Sequence, residues 1–331
     1  MERAGRRPCP FACYERLVRL ILPAGEGYTR TNETIRPKEA RRIPRTVDLL
    51  RRHGFHTKRR LGQNFLLDPN LLKRIATSAE LTTADTVLEI GPGSGNLTRE
   101  LAERAGNVVA VELDKGLQPI LSEALAGYKN VHLVWGDFLK QDLAYLWGLV
   151  PPLPGGERKI VANVPYYIST PILVKILTSD APPSLAVILL QQEVAERLTA
   201  DPGSKAYGSL SVLAQYHAEP ELVVKVPPGA FFPPPEVASA VVRLRFRAEP
   251  PVVVNDSAFL FRIVRASFGQ RRKTILNSLN GSLGPELGRE ILSEALMRAG
   301  IDPRRRGETI SLMEFAALTR AIEIITANEG R

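Results

Sequence analysis

Residues 87–98 constrain the fold most, because an apolar strand pattern runs directly into three glycines spaced two apart. Gly91, Gly93 and Gly95 lack Cβ atoms, so they tolerate positive φ and the close approach of a ligand. The residues from Asn96 onward predict a helix whose N-terminus faces the same ligand. The pattern indicates a nucleotide-like cofactor, with an ordinary strand-to-helix turn as the alternative. The third glycine comes one residue earlier than in the dinucleotide fingerprint, which disfavours NAD.

Strand and helix patterns alternate from about residue 68 to residue 200. Such alternation, with helices of about ten residues, predicts a parallel sheet covered on both faces, an α/β fold of the Rossmann-like kind. Ligands in such sheets bind beyond the carboxyl ends of the strands. The expected strands are residues 86–90, 107–112, 131–134, 159–163 and 185–191, and the expected helices are 69–80, 95–105, 116–126, 169–178 and 192–200.

Two further strands follow, and the second carries a row of arginines. Residues 221–226 and 237–247 predict an antiparallel pair separated by a proline-rich loop. Arg243, Arg245 and Arg247 recur at every second position, so they share one face of the second strand. This arginine stripe fits either a phosphate-facing surface or a solvated edge strand.

The C-terminal part is predicted to form a separate helical unit. A proline pair after Glu249 marks a linker, and the patterns beyond it are helical only. Ser311 and Glu314 are spaced as a capping box before an apolar helix. The expected divisions are a basic, disordered N-terminal extension over 1–36, the α/β domain with a leading helix over 37–249, and an all-helical domain over 250–331.

Composition excludes several classes of protein. The chain has 331 residues, 44% of them apolar, and no window approaches the roughly 18 consecutive apolar residues of a membrane span. Residues 1–57 hold 13 Lys or Arg and 6 Asp or Glu, so most of the net charge of +9 lies in this arm. The arm either holds a polyanion such as RNA or is a solvated tail. Cys9 and Cys13 have no second pair, so we expect no metal, no disulfide and a cytoplasmic location.

Two carboxylates follow strands close to the glycine turn. Glu112 ends the second expected strand about 20 residues after Gly91, where an acid can accept hydrogen bonds from ribose hydroxyls. Asp137 follows the third expected strand, where it can meet an exocyclic amine such as that of adenine. A surface carboxylate and a helix N-cap are the alternatives. Together with the glycine turn, the two acids predict an adenosine-bearing cofactor.

The tetrad Asn163-Val164-Pro165-Tyr166 follows the fourth expected strand. The amine of a planar base is a poor nucleophile because its lone pair is delocalised into the ring. The Asn163 side-chain oxygen and the Pro165 carbonyl can accept both of its N–H bonds, and the Tyr166 ring can stack on the base. A strong electrophile such as a sulfonium methyl then needs no tuned general base. An ordinary turn initiated by Asn and Pro is the alternative.

These motifs, in this order, resemble the ribosomal RNA adenine N6,N6-dimethyltransferase family. The resemblance covers residues from about 36 to 325, and it implies a Rossmann-like class I S-adenosylmethionine-dependent methyltransferase with a small all-helical C-terminal domain. Val164 stands where the family usually has Leu or Ile. The motifs are KRRLGQNFLLD from Lys58, EIGPGSGNLT from Glu89, VELD from Val111, GD at Gly136, NVPYYIS from Asn163, FFPPPEVASAVVRL from Phe231 and FGQRRKTILNSL from Phe268.

The family's cofactor is S-adenosylmethionine (SAM), and the resemblance assigns residues to it and to the target adenine. Asn163, Pro165 and Tyr166 are implied to hold the adenine, and Phe231 is similar to a second aromatic residue at that base. No metal is expected. The residues implied to contact SAM are Gln63, Asn64, Leu66, Gly91, Gly93, Gly95, Glu112, Asp137 and Asn163.

The wider family has two substrate groups. One acts on two adjacent adenosines near the 3′ end of small-subunit (16S) rRNA during subunit assembly, and the other on a large-subunit (23S) adenosine, which gives macrolide resistance. The segments FGQRRKTILNSL and ISLMEF resemble the first group. The expected partner is therefore small-subunit rRNA or its precursor subunit, bound by a monomer that does not contact membrane.

Three basic clusters are candidate RNA phosphate contacts or solvated surface: residues 58–60, 271–273 and 304–306. Besides the large-subunit enzyme, two alternatives stay open. A non-enzymatic RNA-binding assembly or transcription factor on the same fold would break the tetrad or the glycine turn, and neither is broken. An NAD-dependent oxidoreductase is disfavoured by the glycine spacing.

Overall fold

A computed structural model describes residues 46–58, 61–270 and 272–329. The predicted extension over 1–36, the first half of the leading helix, both cysteines and three arginines of the basic clusters lie outside these residues. The second half of the leading helix is present as Thr46–Arg52 (α1), with Leu49 and Leu50 buried.

The central sheet has seven strands, the first five in spatial order being parallel. Strand bounds follow the prediction closely, and three strands match it at both ends: Thr86–Ile90 (β2), Asn107–Glu112 (β3) and Leu185–Gln191 (β6). A separate antiparallel pair, which the sequence analysis did not predict, joins Phe65–Leu66 (β1) to Phe231–Phe232 (β8). The order in the main sheet is Val131–Trp135 (β4), Asn107–Glu112 (β3), Thr86–Ile90 (β2), Arg158–Asn163 (β5), Leu185–Gln191 (β6), Ser239–Phe246 (β9) and Ala218–Val226 (β7).

Helices cover both faces of this sheet. Val87 and Leu88, adjacent in β2, belong to two different hydrophobic cores, as expected when a parallel strand is buried on both sides. The first core contains α1 and three helices: Pro69–Ser78 (α2), Asn96–Ala102 (α3) and Gln118–Ala124 (α4). The second contains Leu143–Trp147 (α5), Ser169–Leu177 (α6) and Gln192–Leu198 (α7). Helix α5 has only five residues and was not predicted from the sequence.

The antiparallel closing pair is confirmed, but the interpretation of β9 as an edge strand is wrong. It lies between β6 and β7, so β7 forms the edge of the sheet. The arginine stripe is neutralised by carboxylates rather than presented for phosphate. Arg243 pairs with Glu80 and Glu221, Arg245 with Glu80, and Arg247 with Glu219.

The C-terminal helices form a third core, as predicted. They are Ser257–Phe268 (α9), Ile275–Leu287 (α10), Arg289–Arg298 (α11) and Leu312–Glu329 (α12), and they follow Ser209–His217 (α8). Tyr207 and Tyr216 belong to this third core, and the Tyr207 hydroxyl donates to the Ile310 carbonyl at 3.0 Å. The helical core thus takes side chains from before the expected boundary at residue 250. The capping box is confirmed, with Ser311 N–H donating to Glu314 at 2.8 Å and Glu314 N–H to Ser311 Oγ at 3.3 Å.

Candidate active site

One crevice opens at the carboxyl ends of the parallel strands. Its walls come from the residues that follow β2, β3, β4 and β5 and from a strap, residues 61–66, that crosses one side. This is the edge at which α/β sheets bind ligands. Of the predicted site residues, the crevice is lined by Gln63, Asn64, Leu66, Gly91, Gly93, Glu112, Asp137, Asn163, Pro165 and Tyr166.

The glycine turn has the backbone conformation that its sequence predicts. Gly91, Gly93 and Gly95 have φ values of 72°, 59° and 80°, in the left-handed region that L side chains rarely adopt. A Cβ at Gly93 would lie 3.0 Å from the Phe65 ring. Gly95 does not line the crevice; it begins α3 and packs against α4, where a Cβ would lie 3.3 Å from Leu121. Two glycines therefore shape the crevice, and the third allows two helices to approach.

Glu112 is held at the crevice by main-chain donors. One oxygen accepts the Gly93 N–H at 3.1 Å and the other accepts the Asp114 N–H at 2.8 Å. Burial raises the pKa of this carboxyl, and the backbone donors act in the opposite direction. Each oxygen keeps a second lone pair, so the arrangement fits a ribose diol that donates two hydrogen bonds.

Asp137 is placed both to cap the turn that follows β4 and to accept a hydrogen bond from a ligand in the crevice. Its Oδ1 accepts the Leu139 N–H at 2.9 Å and so caps the turn after β4. This uses one oxygen of a carboxyl that also lines the crevice. The other oxygen is chemically suited to accept from an exocyclic amine.

Gln63 lines the crevice, but both ends of its amide are engaged within the protein. Its Nε2 donates to Asp114 Oδ2 at 2.7 Å, and its Oε1 accepts the Lys58 N–H at 2.7 Å. The Lys58 ammonium in turn donates to Asp114 Oδ1 at 2.6 Å. Asp114 therefore connects the strap to the end of β3 through hydrogen bonds. Lys58, a candidate phosphate contact, takes part in this connection.

Asn163 is oriented by the strap. Its Nδ2 donates to the Asn64 carbonyl at 3.2 Å, which leaves Oδ1 as the end of the amide that can accept from a substrate. The Pro165 carbonyl accepts the Ile168 N–H at 3.2 Å and keeps a second lone pair. The two acceptors predicted for an amine therefore lie within one turn at the end of β5.

The Tyr166 ring has an anchor that the sequence analysis missed. Its hydroxyl is hydrogen-bonded to Ser239 Oγ, and Ser239 is fully buried at the start of β9. Burial raises the pKa of Tyr166, while the Ser239 hydroxyl opposes this shift. The motif FFPPPEVAS contains Ser239, but no sequence periodicity shows that this serine meets a residue 73 positions away.

Phe231 is set back from the crevice lining. Its side chain is 4% exposed and belongs to the first core, and its backbone pairs with Leu66 between β8 and β1. The next residue, Phe232, is 38% exposed. A role for Phe231 at the target base stays a prediction.

Asn96 is a second residue whose importance was missed. Its Nδ2 donates to the Leu66 carbonyl at 2.9 Å, and its Oδ1 accepts the Thr46 hydroxyl at 2.7 Å. This buried amide connects α1, the strap and the glycine turn. In the sequence it is visible only as the residue after the third glycine.

The crevice suits an adenosyl cofactor by its chemistry. Left-handed glycines permit close approach, Glu112 presents a fixed carboxylate, and Asp137 lies beyond the neighbouring strand. No group of three or more His, Cys, Asp or Glu in the described part of the chain is placed to bind a metal ion. The helices described include none that is long and apolar enough to cross a membrane.

The family model for "Ribosomal RNA adenine dimethylase" matches residues 54–318. Two similar curated proteins are both named ribosomal RNA small subunit methyltransferase A. The one from Moorella thermoacetica is 51% identical over 282 residues, covering 84% of this chain and 97% of that protein. The one from Pelotomaculum thermopropionicum is 50% identical over 276 residues, covering 82% and 93%.

Solved structures agree with this fold. The crystal structure of the 23S rRNA methyltransferase ErmE is 33% identical, with a TM-score of 0.62 over 78% of this chain and 100% of that one. A dimethyladenosine transferase from Plasmodium falciparum has a TM-score of 0.65 at 24% identity, covering 80% and 98%. The chain therefore belongs to the ribosomal RNA adenine dimethylase family, and it is a methyltransferase whose methyl donor is SAM.

Proposed function

We propose that the protein places two methyl groups on N6 of each of two adjacent adenosines near the 3′ end of small-subunit rRNA, during subunit assembly. The identity of 51% to a protein named for the small subunit, against 33% to one named for 23S rRNA, supports this choice of substrate. The observation on which the chemistry rests is the orientation of the Asn163 amide by the Asn64 carbonyl.

The proposed mechanism is direct transfer to the amine nitrogen. Asn163 Oδ1 and the Pro165 carbonyl accept the two N–H bonds, which favours electron density on nitrogen as the new bond forms. The Tyr166 ring, fixed through Ser239, stacks on the base. SAM supplies an electrophilic methyl group on sulfonium. The proton leaves to solvent after transfer, so no general base is needed.

The second round has a different requirement. The monomethylated amine has one N–H left, so only one of the two acceptors remains paired with it. The Pro165 carbonyl already accepts the Ile168 N–H. It can therefore release the substrate without becoming an unpaired buried acceptor. We infer that Asn163 keeps its hydrogen bond to the amine in both rounds.

Two loops of the helical domain are the proposed RNA contact. The turn before α10 and the loop before α12 are joined by Ile275 N–H to the Arg305 carbonyl at 2.6 Å. The basic loop pair, defined as Arg272, Lys273, Arg304 and Arg306, is exposed on these loops. Arg305 is left out because it pairs with Glu314 and is only 33% exposed, whereas Arg304 pairs with Asp302 but stays 88% exposed. Two clusters separated in sequence thus form one basic surface, which suits phosphates.

We also propose that the protein acts as a monomer in the cytoplasm. The crevice is built from one chain, because the strap, the glycine turn and the tetrad all come from the described residues of a single copy. Precursor small subunits are the proposed substrate, so the enzyme must meet them where they assemble.

Purified precursor subunits test the substrate. The protein is incubated with methyl-labelled SAM and either small or large precursor subunits, and methylated adenosines are mapped by mass spectrometry. We expect two adjacent dimethyladenosines near the 3′ end of small-subunit rRNA. Methylation of large-subunit RNA alone would support the macrolide-resistance type instead. Absence of transfer to either RNA would support a non-enzymatic factor.

Replacement of Asn163 tests the site. Asn163→Ala removes one of the two amine acceptors, so we expect about a hundredfold loss of methyl transfer, with a smaller change in the Kd for SAM. Asn107→Ala, at the opposite end of a strand in the same sheet, is the matched control and should keep full transfer. Unchanged transfer by Asn163→Ala would refute the assignment.

A further inference from the structure

The second tyrosine of the motif NVPYYIS lies at the mouth of the crevice, and none of the steps proposed above uses it. Tyr167 lines the crevice, yet 54% of its surface is exposed. Of the described aromatic residues that line the crevice, it is the most exposed. A single exposed tyrosine is ordinary on a protein surface. What distinguishes Tyr167 is its position beside a site that receives a nucleobase.

The two tyrosines of the motif point in different directions. Tyr166 and Tyr167 begin the same 3₁₀ turn, Tyr166–Ile168, in which successive side chains point about 120° apart. The Tyr166 hydroxyl is hydrogen-bonded to the buried Ser239, so this ring is anchored within the protein. The Tyr167 ring lies instead beside the strap. Two consecutive residues therefore present one anchored ring and one exposed ring at the end of β5.

Gly62 of the strap packs against the Tyr167 ring. This glycine has a φ of 58°, and a Cβ there would lie 3.3 Å from Tyr167 Cδ1 and 3.5 Å from Pro165 Cβ. Its lack of a side chain lets the strap backbone support one part of the ring, while the remainder is exposed. A ring that is already supported loses little conformational freedom when a ligand binds to it.

The proposed reaction leaves one base of the RNA without a stacking partner. An adenine that enters the crevice leaves the base stack, and this unstacking costs free energy. The base next to it in the RNA chain then exposes one face to water. An aromatic side chain at the mouth of the crevice can cover that face, because every base has a face on which a ring can stack. Consecutive bases can thus meet consecutive tyrosines.

We propose that Tyr167 is a substrate-binding residue, on whose ring the nucleotide next to the target adenosine stacks while the target lies in the crevice. The inference rests on the proposed function, in which the target belongs to a pair of adjacent adenosines. Stacking does not use the hydrogen-bonding edge of a base, so the ring accepts neighbours of different kinds. It therefore serves both targets, whether or not the base beside it is already methylated.

Substitutions of the ring test this role. Tyr167→Leu removes the ring, so we expect about a tenfold fall in kcat/KM with small-subunit RNA, the size expected for one base–aromatic stack. Tyr167→Phe and Tyr167→Trp keep a ring and should keep transfer. Tyr145→Leu, at an exposed tyrosine of α5 outside the crevice lining, is the matched control and should equal the wild type. Equal losses for Tyr167→Phe and Tyr167→Leu would overturn the proposal.

The Kd for SAM distinguishes stacking on RNA from support of the strap. The strap contributes Asn64 and Leu66 to the crevice lining, so a loosened strap would weaken cofactor binding. If Tyr167 acts on RNA directly, Tyr167→Leu should leave the Kd for SAM, measured without RNA, unchanged. A Kd that rises as much as kcat/KM falls would overturn the proposal.

RNA that lacks a single base identifies the stacked nucleotide. Small subunits are reconstituted with an abasic nucleotide on the 5′ or the 3′ side of one target adenosine. On one of these sides, the losses from the missing base and from Tyr167→Leu should not multiply, because both remove the same contact. Losses that multiply on both sides would overturn this inference and leave the proposed function in place. Absence of transfer by the wild type to intact small-subunit RNA would overturn both.

Discussion

The Tyr166 ring is held at the crevice by a hydrogen bond to the hydroxyl of Ser239, which is itself buried. In the proposed mechanism this ring stacks on successive forms of the base, first unmethylated and then monomethylated, and a fixed ring plane favours both. The bond to Ser239 provides that restraint, since Ser239 begins a strand that is paired on both sides within the sheet. The orientation of the Tyr166 ring thus depends on Ser239, a residue outside the crevice lining.

Removal of this anchor should slow transfer without affecting cofactor binding. Ser239→Ala and Tyr166→Phe each delete one side of the hydrogen bond, worth about 1 kcal/mol, so we expect about a fivefold fall in kcat for each. The double variant should lose no more than either single variant, because both delete the same bond. Independent, multiplying losses in single-turnover assays would contradict this role.

At the scale of elements, a buried ion pair joins the amino ends of β2 and β5. The Lys159 ammonium donates to Asp85 at 2.9 Å and to the Glu80 carbonyl at 2.6 Å. Asp85 also accepts the Thr82 and Glu157 N–H groups. Burial alone would raise the pKa of Asp85, but these donors and Lys159 lower it below its ordinary value. The pair fixes the strands at the end opposite the crevice.

Lys159→Met should destabilise the fold strongly. Removal of one partner leaves a buried carboxylate without its cation, at a cost of about 3–5 kcal/mol in urea unfolding. Because the pKa of Asp85 is depressed, its stabilisation is present above the unfolded pKa and is lost as the pH falls through the folded one. The wild type should therefore lose more stability on acidification than the variant does.

Arg245→Met is the control for this prediction. Arg245 also pairs with an acid, Glu80, but both side chains are about half exposed. Its loss should cost less than about 1 kcal/mol. Equal losses for the two variants would show that burial does not decide the strength of these pairs.

At the scale of the whole molecule, the catalytic crevice and the basic loop pair belong to different parts of the chain. The helical core takes Tyr207 and Tyr216 from within residues 37–249, the range predicted for the α/β domain, so the two parts share a packed junction. In the proposed complex, RNA contacts the basic loop pair through its phosphates and the crevice through the target base and the nucleotide beside it. Mutations should therefore be able to change the affinity for RNA without changing the methyl-transfer step, and the reverse.

Neutral variants of the basic loop pair should weaken RNA binding and leave SAM binding unchanged. Removal of one cation that neutralises a phosphate should lower the slope of log K against log salt by about 0.7 to 0.9. Lys273→Gln with Arg306→Gln is therefore expected to reduce the slope by up to about 1.8, measured with small-subunit rRNA over a salt series. Arg298→Gln, whose side chain pairs with Glu294, is the control. An unchanged slope in the double variant would exclude these loops as an RNA contact.

Sequence patterns predicted much of this molecule. The strands of the parallel sheet were predicted because most of them are buried apolar runs, and β2, β3 and β6 begin and end where expected. Strand pair β1 and β8 was missed, since two residues per strand have no period. The arginine stripe was interpreted as a phosphate-facing surface or a solvated edge strand. Neither interpretation anticipated its ion pairs, because the sequence does not show which carboxylates lie beside it.

By itself, the sequence determined the α/β architecture, the left-handed glycine turn and the tetrad, because these depend on local backbone preference and on the chemistry of individual side chains. Only the tertiary structure decided that Asn64 orients Asn163, that Ser239 anchors Tyr166 and that one carboxyl oxygen of Glu89 lies buried without a hydrogen-bond partner among the described residues. These relations join residues from separate strands and loops, and they exist only once packing has removed water and brought distant side chains together.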